Sequence, residues 1–198
     1  MKKFLFILIL LIQCGYVFSQ NYTIRYRPTY KVANTTIGLR QFILTIQDTV
    51  AYCYYPDILP GGVLPVPLGS AYFPKSSYYN FKKQILMYHQ GHPKRPKTHR
   101  IIQKNYLLGE WIIDGDKKEI LGYTCIKAHG TNGNRSYIVW YSPDLPHGFG
   151  PFMMTGLPGT ILQSLDVERG YLTWAIEIKK GGLPIVEPNF AEKIYKDN

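Results

Sequence analysis

Tyr171-Leu172-Thr173-Trp174-Ala175-Ile176-Glu177-Ile178-Lys179 alternates residue by residue, with Leu172, Trp174, Ile176 and Ile178 pointing one way and Thr173, Ala175, Glu177 and Lys179 the other. Successive side chains of an extended chain point to opposite faces, so this is the pattern of a half-buried β-strand. Phe42, Leu44 and Ile46 against Thr45 and Gln47 repeat it. Tyr137, Val139 and Tyr141 beside Ile138 and Trp140 are apolar on both sides, as a strand with neighbours on each flank would be. Seventeen tyrosines and nine phenylalanines, enriched with Ile, Val and Thr, suit strands better than helices.

The same reading predicts strands at 22–27, 41–47, 51–55, 78–88, 100–108, 111–114, 120–127, 136–141, 160–166 and 171–179. Asp114-Gly115-Asp116, the run 130–134 and Arg169-Gly170 supply turns at hairpin distance. The fold expected is all-β or β-dominated: one antiparallel, curved, half-barrel-like sheet with long loops at 56–69 and 142–155. Curvature makes a concave face. Lined with the surplus aromatic and aliphatic residues, that face would hold an apolar ligand or a partner, unless a loop of the chain itself fills it as core. The apolar Pro/Gly run 56–69, with Ile58, Leu59, Val63, Leu64, Val66 and Leu68, is one candidate for such a loop.

Lys2 and Lys3 precede an unbroken apolar run from Phe4 to Ile12, and Val17-Phe18-Ser19 ends in a small residue. This reads as a secretory signal peptide over residues 1–19, leaving one domain over 20–198. The apolar run is about half the roughly 18–20 residues that cross a bilayer, and no later segment approaches that length, so the mature chain should lack a transmembrane helix. A competing reading makes Leu11-Ile12-Gln13-Cys14 a lipoprotein box acylated at Cys14; Gln13 stands where such boxes want Gly, Ala or Ser.

The chain carries 23 Lys and Arg against 13 Asp and Glu, a net charge of +10. That surplus favours anionic partners, or simply keeps a β-rich protein soluble. Export argues against nucleic acid and leaves anionic membrane surfaces and acidic glycans. Once Cys14 departs with the signal, Cys53 and Cys125 remain; an exported pair invites a disulfide, although two buried, unpaired thiols fit as well.

Through Gly148-Phe149-Gly150-Pro151-Phe152-Met153-Met154-Thr155-Gly156-Leu157-Pro158-Gly159-Thr160-Ile161-Leu162, glycine and proline are spaced so as to dictate a backbone path. Glycine permits positive φ and close approach, while proline fixes φ. Gly156-Leu157-Pro158-Gly159 therefore reads as a tight corner between extended segments.

Trp111-Ile112-Ile113, the run Lys118 to Ala128, Arg135, Trp140-Tyr141-Ser142-Pro143-Asp144-Leu145-Pro146, Gly150-Pro151 and Gly156-Leu157-Pro158-Gly159 resemble, in order and spacing, the GLPGLI family of exported bacterial proteins. The resemblance is diffuse before Trp111 and specific after it. Thr160-Ile161 stands where the signature has Leu-Ile, which preserves the alternation. The family has no established enzymatic activity, and the resemblance implies a periplasmic or outer-membrane-facing protein. The pattern is also similar to the half-barrel lipoprotein carriers, an analogy of fold alone. Within these motifs Gly122 is expected to admit Trp111 or Trp140 against bare backbone, and Asp144 to pair with Arg135.

A nucleophilic site would need Cys125, His129 and Asp144 or His147 to converge, yet Cys125 and His129 in one strand stand about 13 Å apart. Metal binding would rest on His89, His92 and His99, which lack Cys or carboxylate partners and flank the cations Lys94, Arg95, Lys97 and Arg100. That basic segment reads as a solvated hairpin tip or as a surface for an anionic membrane or acidic partner. No cofactor is implied. The expected function is a non-catalytic accessory or carrier that binds a lipid, a peptide or an envelope protein at the concave face, near Trp111, Trp140 and the 156–159 corner. The alternatives are a structural subunit of an outer-membrane complex or, further off, a hydrolase.

Overall fold

The computed structural model describes residues 21–187, apart from 33, 57–75, 93–94, 105–108, 133, 147 and 183. The described chain forms β1 (Tyr22–Val32), β2 (Thr35–Gly38), β3 (Phe42–Gln47), β4 (Val50–Tyr54), β5 (Ser76–Asn80), β6 (Ile85–His92), β7 (Arg95–Lys104), β8 (Glu110–Ile120), β9 (Tyr123–Thr131), β10 (Ser136–Ser142), β11 (Thr160–Asp166) and β12 (Tyr171–Lys180), with one 3-10 turn at Pro151–Met153. Among these residues no helix is long and apolar enough to cross a membrane. The strands make a single antiparallel sheet in the order β7-β6-β5-β4-β3-β1-β12-β11-β10-β9-β8, with β2 folded back on β1.

Two up-and-down runs, β1 to β7 and β8 to β12, thus meet where the first and last strands pair. Lys104 ends β7 at one edge and Glu110 starts β8 at the other, and five residues join them. Six steps of chain span at most about 22 Å. Laid flat, strands about 4.8 Å apart would hold these edges about 48 Å apart. The sheet must therefore curl until its two edges face each other across a seam, which is the curvature the sequence suggests.

Register places the inner face. Leu86, Tyr79, Ala51, Ile46 and Tyr22 lie opposite one another across β6, β5, β4, β3 and β1. Thr173, Ser164, Val139 and Ala128 do the same across β12, β11, β10 and β9. All are buried.

On β12 the strand is as expected but its buried face is not: Thr173 and Ala175 are buried while Leu172, Trp174 and Ile176 are half-buried. Ala175 lies opposite Tyr26, whose ring needs the room, and a bulge at this point shifts the register so that Ile178 returns to face Ile24.

One expected strand and one expected turn resolve differently. The run 78–88 breaks into β5 and β6 around a turn at 81–84, where Gln84 takes φ 51°. Asp114-Gly115-Asp116 is no turn but a bulge inside β8, since the register passes from Ile113 opposite Ala128 to Lys117 opposite Ile126. The real turn is Leu121-Gly122, both at positive φ (52° and 81°), as a two-residue hairpin requires. Gly122 has open space around it and admits no tryptophan, which corrects the expectation for that residue.

Candidate functional site

The concave face is filled by the chain itself. Residues 143–159, linking β10 to β11, run across it and contribute Leu145, Phe149, Met154 and Leu157, each under 5% exposed. Leu145 and Phe149 join a cluster with Tyr26, Phe42, Leu44 and Tyr79; Met154 and Leu157 join a second with Val139, Tyr141 and Ile161. Phe152 packs against both clusters from the left-handed region, φ 54° and ψ 37°, its ring centre 5.1 Å from that of Phe42. Phe42 in turn stacks on Tyr26 at 5.2 Å, and Phe149 meets Tyr79 edge-on at 5.7 Å. Much of the aromatic surplus is spent here. The apolar run 56–69, the other candidate filler, lies outside the described residues beyond Pro56.

Backbone hydrogen bonds hold the segment in place. Gly148 N donates to the Leu157 carbonyl at 3.1 Å, and Ile161 N to that of Phe149 at 2.9 Å. Thr160 Oγ1 donates to the Pro146 carbonyl at 2.7 Å, and Tyr26 Oη to that of Ile161 at 2.6 Å. Gly156 sits at φ 103°, where an added Cβ would come 2.6 Å from the Gly109 carbonyl oxygen; one on Gly159 would overlap the carbonyl of Ser142. Leu157 is buried and Pro158 exposed. Gly159 is buried and Gly156 exposed, so the corner is a seam that alternates between core and surface.

Trp111 belongs to this corner. Its Nε1 donates to the Thr155 carbonyl at 2.7 Å, and Gly109 N reaches the same oxygen at 3.2 Å. Trp140 does not: its ring carries Lys118 Nζ 4.1 Å above the centre, and that ammonium also donates to Gln163 Oε1 at 2.6 Å. Burial lowers the Lys118 pKa. Beneath the segment lies a narrow cleft of about 20 Å³, room for roughly one water molecule, bordered by Leu44, Cys53, Tyr79, Phe149, Met154 and Thr155.

Cys53 and Cys125 carry free thiols. They sit on β4 and β9, with five strands between them in the sheet order. Burial pushes Cys53 up to about 12 and Cys125 up to about 11 from an ordinary value of 9.0. Native thiols then hold their protons where unfolded ones release them. Stability should therefore be unaffected by these groups below about pH 9 and fall as pH rises from 9 toward 11. Melting curves between pH 8 and 10.5 check the sign; a flat or rising melting temperature would show that neither thiol is so placed.

Arg135 pairs with Asp166 at 3.6 Å rather than with Asp144, whose backbone N–H is held by Ser142 Oγ. Asp166 lies opposite Tyr137, beside Arg135, whereas Asp144 has already entered the connecting segment. His129 is engaged by Asp114, Nδ1 to Oδ1 at 2.6 Å, and Lys127 reaches both Asp116 (3.1 Å) and Asp114 (3.8 Å) across the β8 bulge. No cluster of three or more His, Cys, Asp or Glu side chains converges among the described residues. Arg95, Lys97 and Arg100 fall on β7, at and beyond the tip of the β6–β7 hairpin; Lys94 and His147 lie outside the described residues, as do residues 1–20 with Cys14.

The feature missed in the sequence is the exposed apolar pair Ile112 and Ile113, at 63% and 50%, on an edge strand. Two consecutive isoleucines place one on each face, and that signal was present in the sequence.

No family model matches the chain, and no curated protein matches it. Among solved structures it is similar to PNGF-II in two crystal forms, with TM-scores of 0.63 and 0.62 at 18% identity, over 84% and 88% of this chain. The chain spans only 29% and 31% of the length of PNGF-II. A DUF1329 family protein from Desulfovibrio piger aligns over 89% of this chain and 91% of its own, with 9% identity and a TM-score of 0.27. At these identities the likeness to PNGF-II is one of fold: the same curved sheet occurs within a longer chain.

Proposed function

We propose that this chain is a non-catalytic accessory protein of the cell envelope, exported by residues 1–19 and related to the GLPGLI proteins, that binds another envelope protein at the rim of its sheet beside the 156–159 corner. The observation that supports this most is the exposure of Ile112 and Ile113 on a strand with no neighbour on its outer side among the described residues. Large aliphatic side chains at a bare sheet edge favour association.

A second reading, carriage of a lipid or peptide under the 143–159 segment, draws on two observations. Phe152 is held in a conformation that costs a bulky residue about 1–2 kcal/mol. Thr155 Oγ1 is buried without a hydrogen-bond partner beside the cleft.

Photo-crosslinking in the producing cell separates the two. A photoreactive residue at 112 should yield protein adducts that one at Val167, also exposed but on the β11–β12 turn, does not. Adducts with lipid alone, formed from position 152, would favour the carrier; none from either position would remove both.

A further inference from the structure

A bare edge is a template for another strand, and proteins commonly blunt it with bulges, charges or proline. On β8 the bulge at 114–116, with Gly115 at φ 83°, and the lysines Lys117 and Lys118 after it blunt the far half. The near half is flat: residues 110–113 pair with 131–128 in unbroken register. Its start is fixed from below by the two hydrogen bonds to the Thr155 carbonyl. It offers a pre-organised strand edge with Trp111 and Ile113 on the inner side and Ile112 between Glu110 and Asp114 on the outer side.

Charge narrows the choice of occupant. Within a chain of net charge +10, this edge is locally acidic. Glu110 is exposed and has no ion-pair partner among the described residues, while Asp114 and Asp116 share Lys127 and His129. A second copy fits badly: antiparallel pairing centred on Ile112 would set Glu110 against Asp114, like charges that destabilise a cross-strand pair, and two such basic chains repel.

We propose that this edge accepts an extended segment of a partner protein, added as a strand beside β8, with cations opposite Glu110 and Asp114 and aliphatic residues between them. Main-chain hydrogen bonds supply the attachment and the alternate side chains the selectivity. The inference rests on the protein-partner reading above and names what part of that partner is held.

The capped peptide Lys-Val-Val-Val-Lys reads the same in both directions, so it suits either strand polarity, and Glu-Val-Val-Val-Glu is its charge-reversed control. Titrated into the full chain, the lysine peptide should move the amide NMR signals of residues 110–113 saturably. It should bind at least about tenfold more tightly than the glutamate peptide, as two favourable in place of two repulsive cross-strand pairs would give. Non-specific attraction to a protein of net charge +10 would give the opposite order. I112T/I113T, which keeps β-branched residues, should retain the rest of the spectrum and lose the response. Equal or reversed preference, no localised shifts, or self-association of the chain through this edge would each overturn the proposal. Cross-links from position 112 to an envelope protein with no response to the lysine peptide would remove this inference and leave the broader reading standing.

Discussion

Gly159→Ala lowers the melting temperature by about 6–12 °C, on a loss of about 3 kcal/mol from a domain of this size. The Cβ it introduces would overlap the Ser142 carbonyl and lie 2.9 Å from the Cα of Pro143. Neither neighbour is a flexible side-chain tip that could swing aside, because Ser142 closes β10 and lies opposite Thr160, the first residue of β11. Relief requires the two strands to part at the point where the 143–159 segment enters the core. Gly156→Ala adds a second cost, since its φ of 103° is one that side-chain-bearing residues rarely adopt. Gly38→Ala is the control: a Cβ there meets nothing within 4 Å, and its effect should stay within about 0.5 kcal/mol. Differential scanning calorimetry of the three variants decides the matter; if Gly159→Ala melts with the parent, the corner does not set the chain path.

Phe149→Ala should cost about 3–5 kcal/mol, the range for removing a buried aromatic ring. Phe149 is 3% exposed, packs edge-on against Tyr79, and borders the cleft beneath the segment. Its backbone carbonyl still receives Ile161 N in the variant, so the segment stays anchored and the lost ring becomes empty space. An apolar cavity of that kind stays dry and takes up small apolar molecules. Benzene should then raise the melting temperature of the variant and leave that of the parent unchanged, through linkage of binding to folding. Chemical denaturation with and without benzene gives both quantities. A loss under about 1 kcal/mol would mean that residues 143–159 lie on the core rather than in it.

The sheet was legible because short runs of β-branched and aromatic residues mark extended chain, and β3, β10 and β11 follow their residues closely although β3 is buried on both faces. The sides were harder to read. On β12 the apolar residues announce a buried face, but the ring of Tyr26 across the sheet claims the space, and small Thr173 and Ala175 occupy it. Packing between distant strands decides that choice, and local pattern does not contain it. Asp114-Gly115-Asp116 misled for a related reason: glycine at positive φ serves a bulge as well as a turn, and only the pairing of Lys117 with Ile126 tells them apart.

Of the residues singled out for the site, Trp111, Gly156, Leu157 and Gly159 come together, since a spacing of Gly and Pro that dictates a corner also dictates what must lie against it. Trp140 does not join them, and Arg95, Lys97 and Arg100 belong to β7, at the other end of the strand order. Ile112 and Ile113 were visible as residues but not as an edge, because which strand ends a sheet depends on topology.

Pairing of β1 with β12 brings Gly181 N within 2.6 Å of the Asn21 carbonyl. Followed in space from β8 to β12, then β1 and β3 to β7, each strand of this path lies beside a near neighbour in sequence except at one place, where β1 meets β12. That pairing, Tyr22 opposite Lys180, joins the two described strands furthest apart in the chain, so the centre of the sheet is completed only after residue 180 has been made. Until then β1 holds an exposed flank, and folding is slower than strand-by-strand assembly would allow.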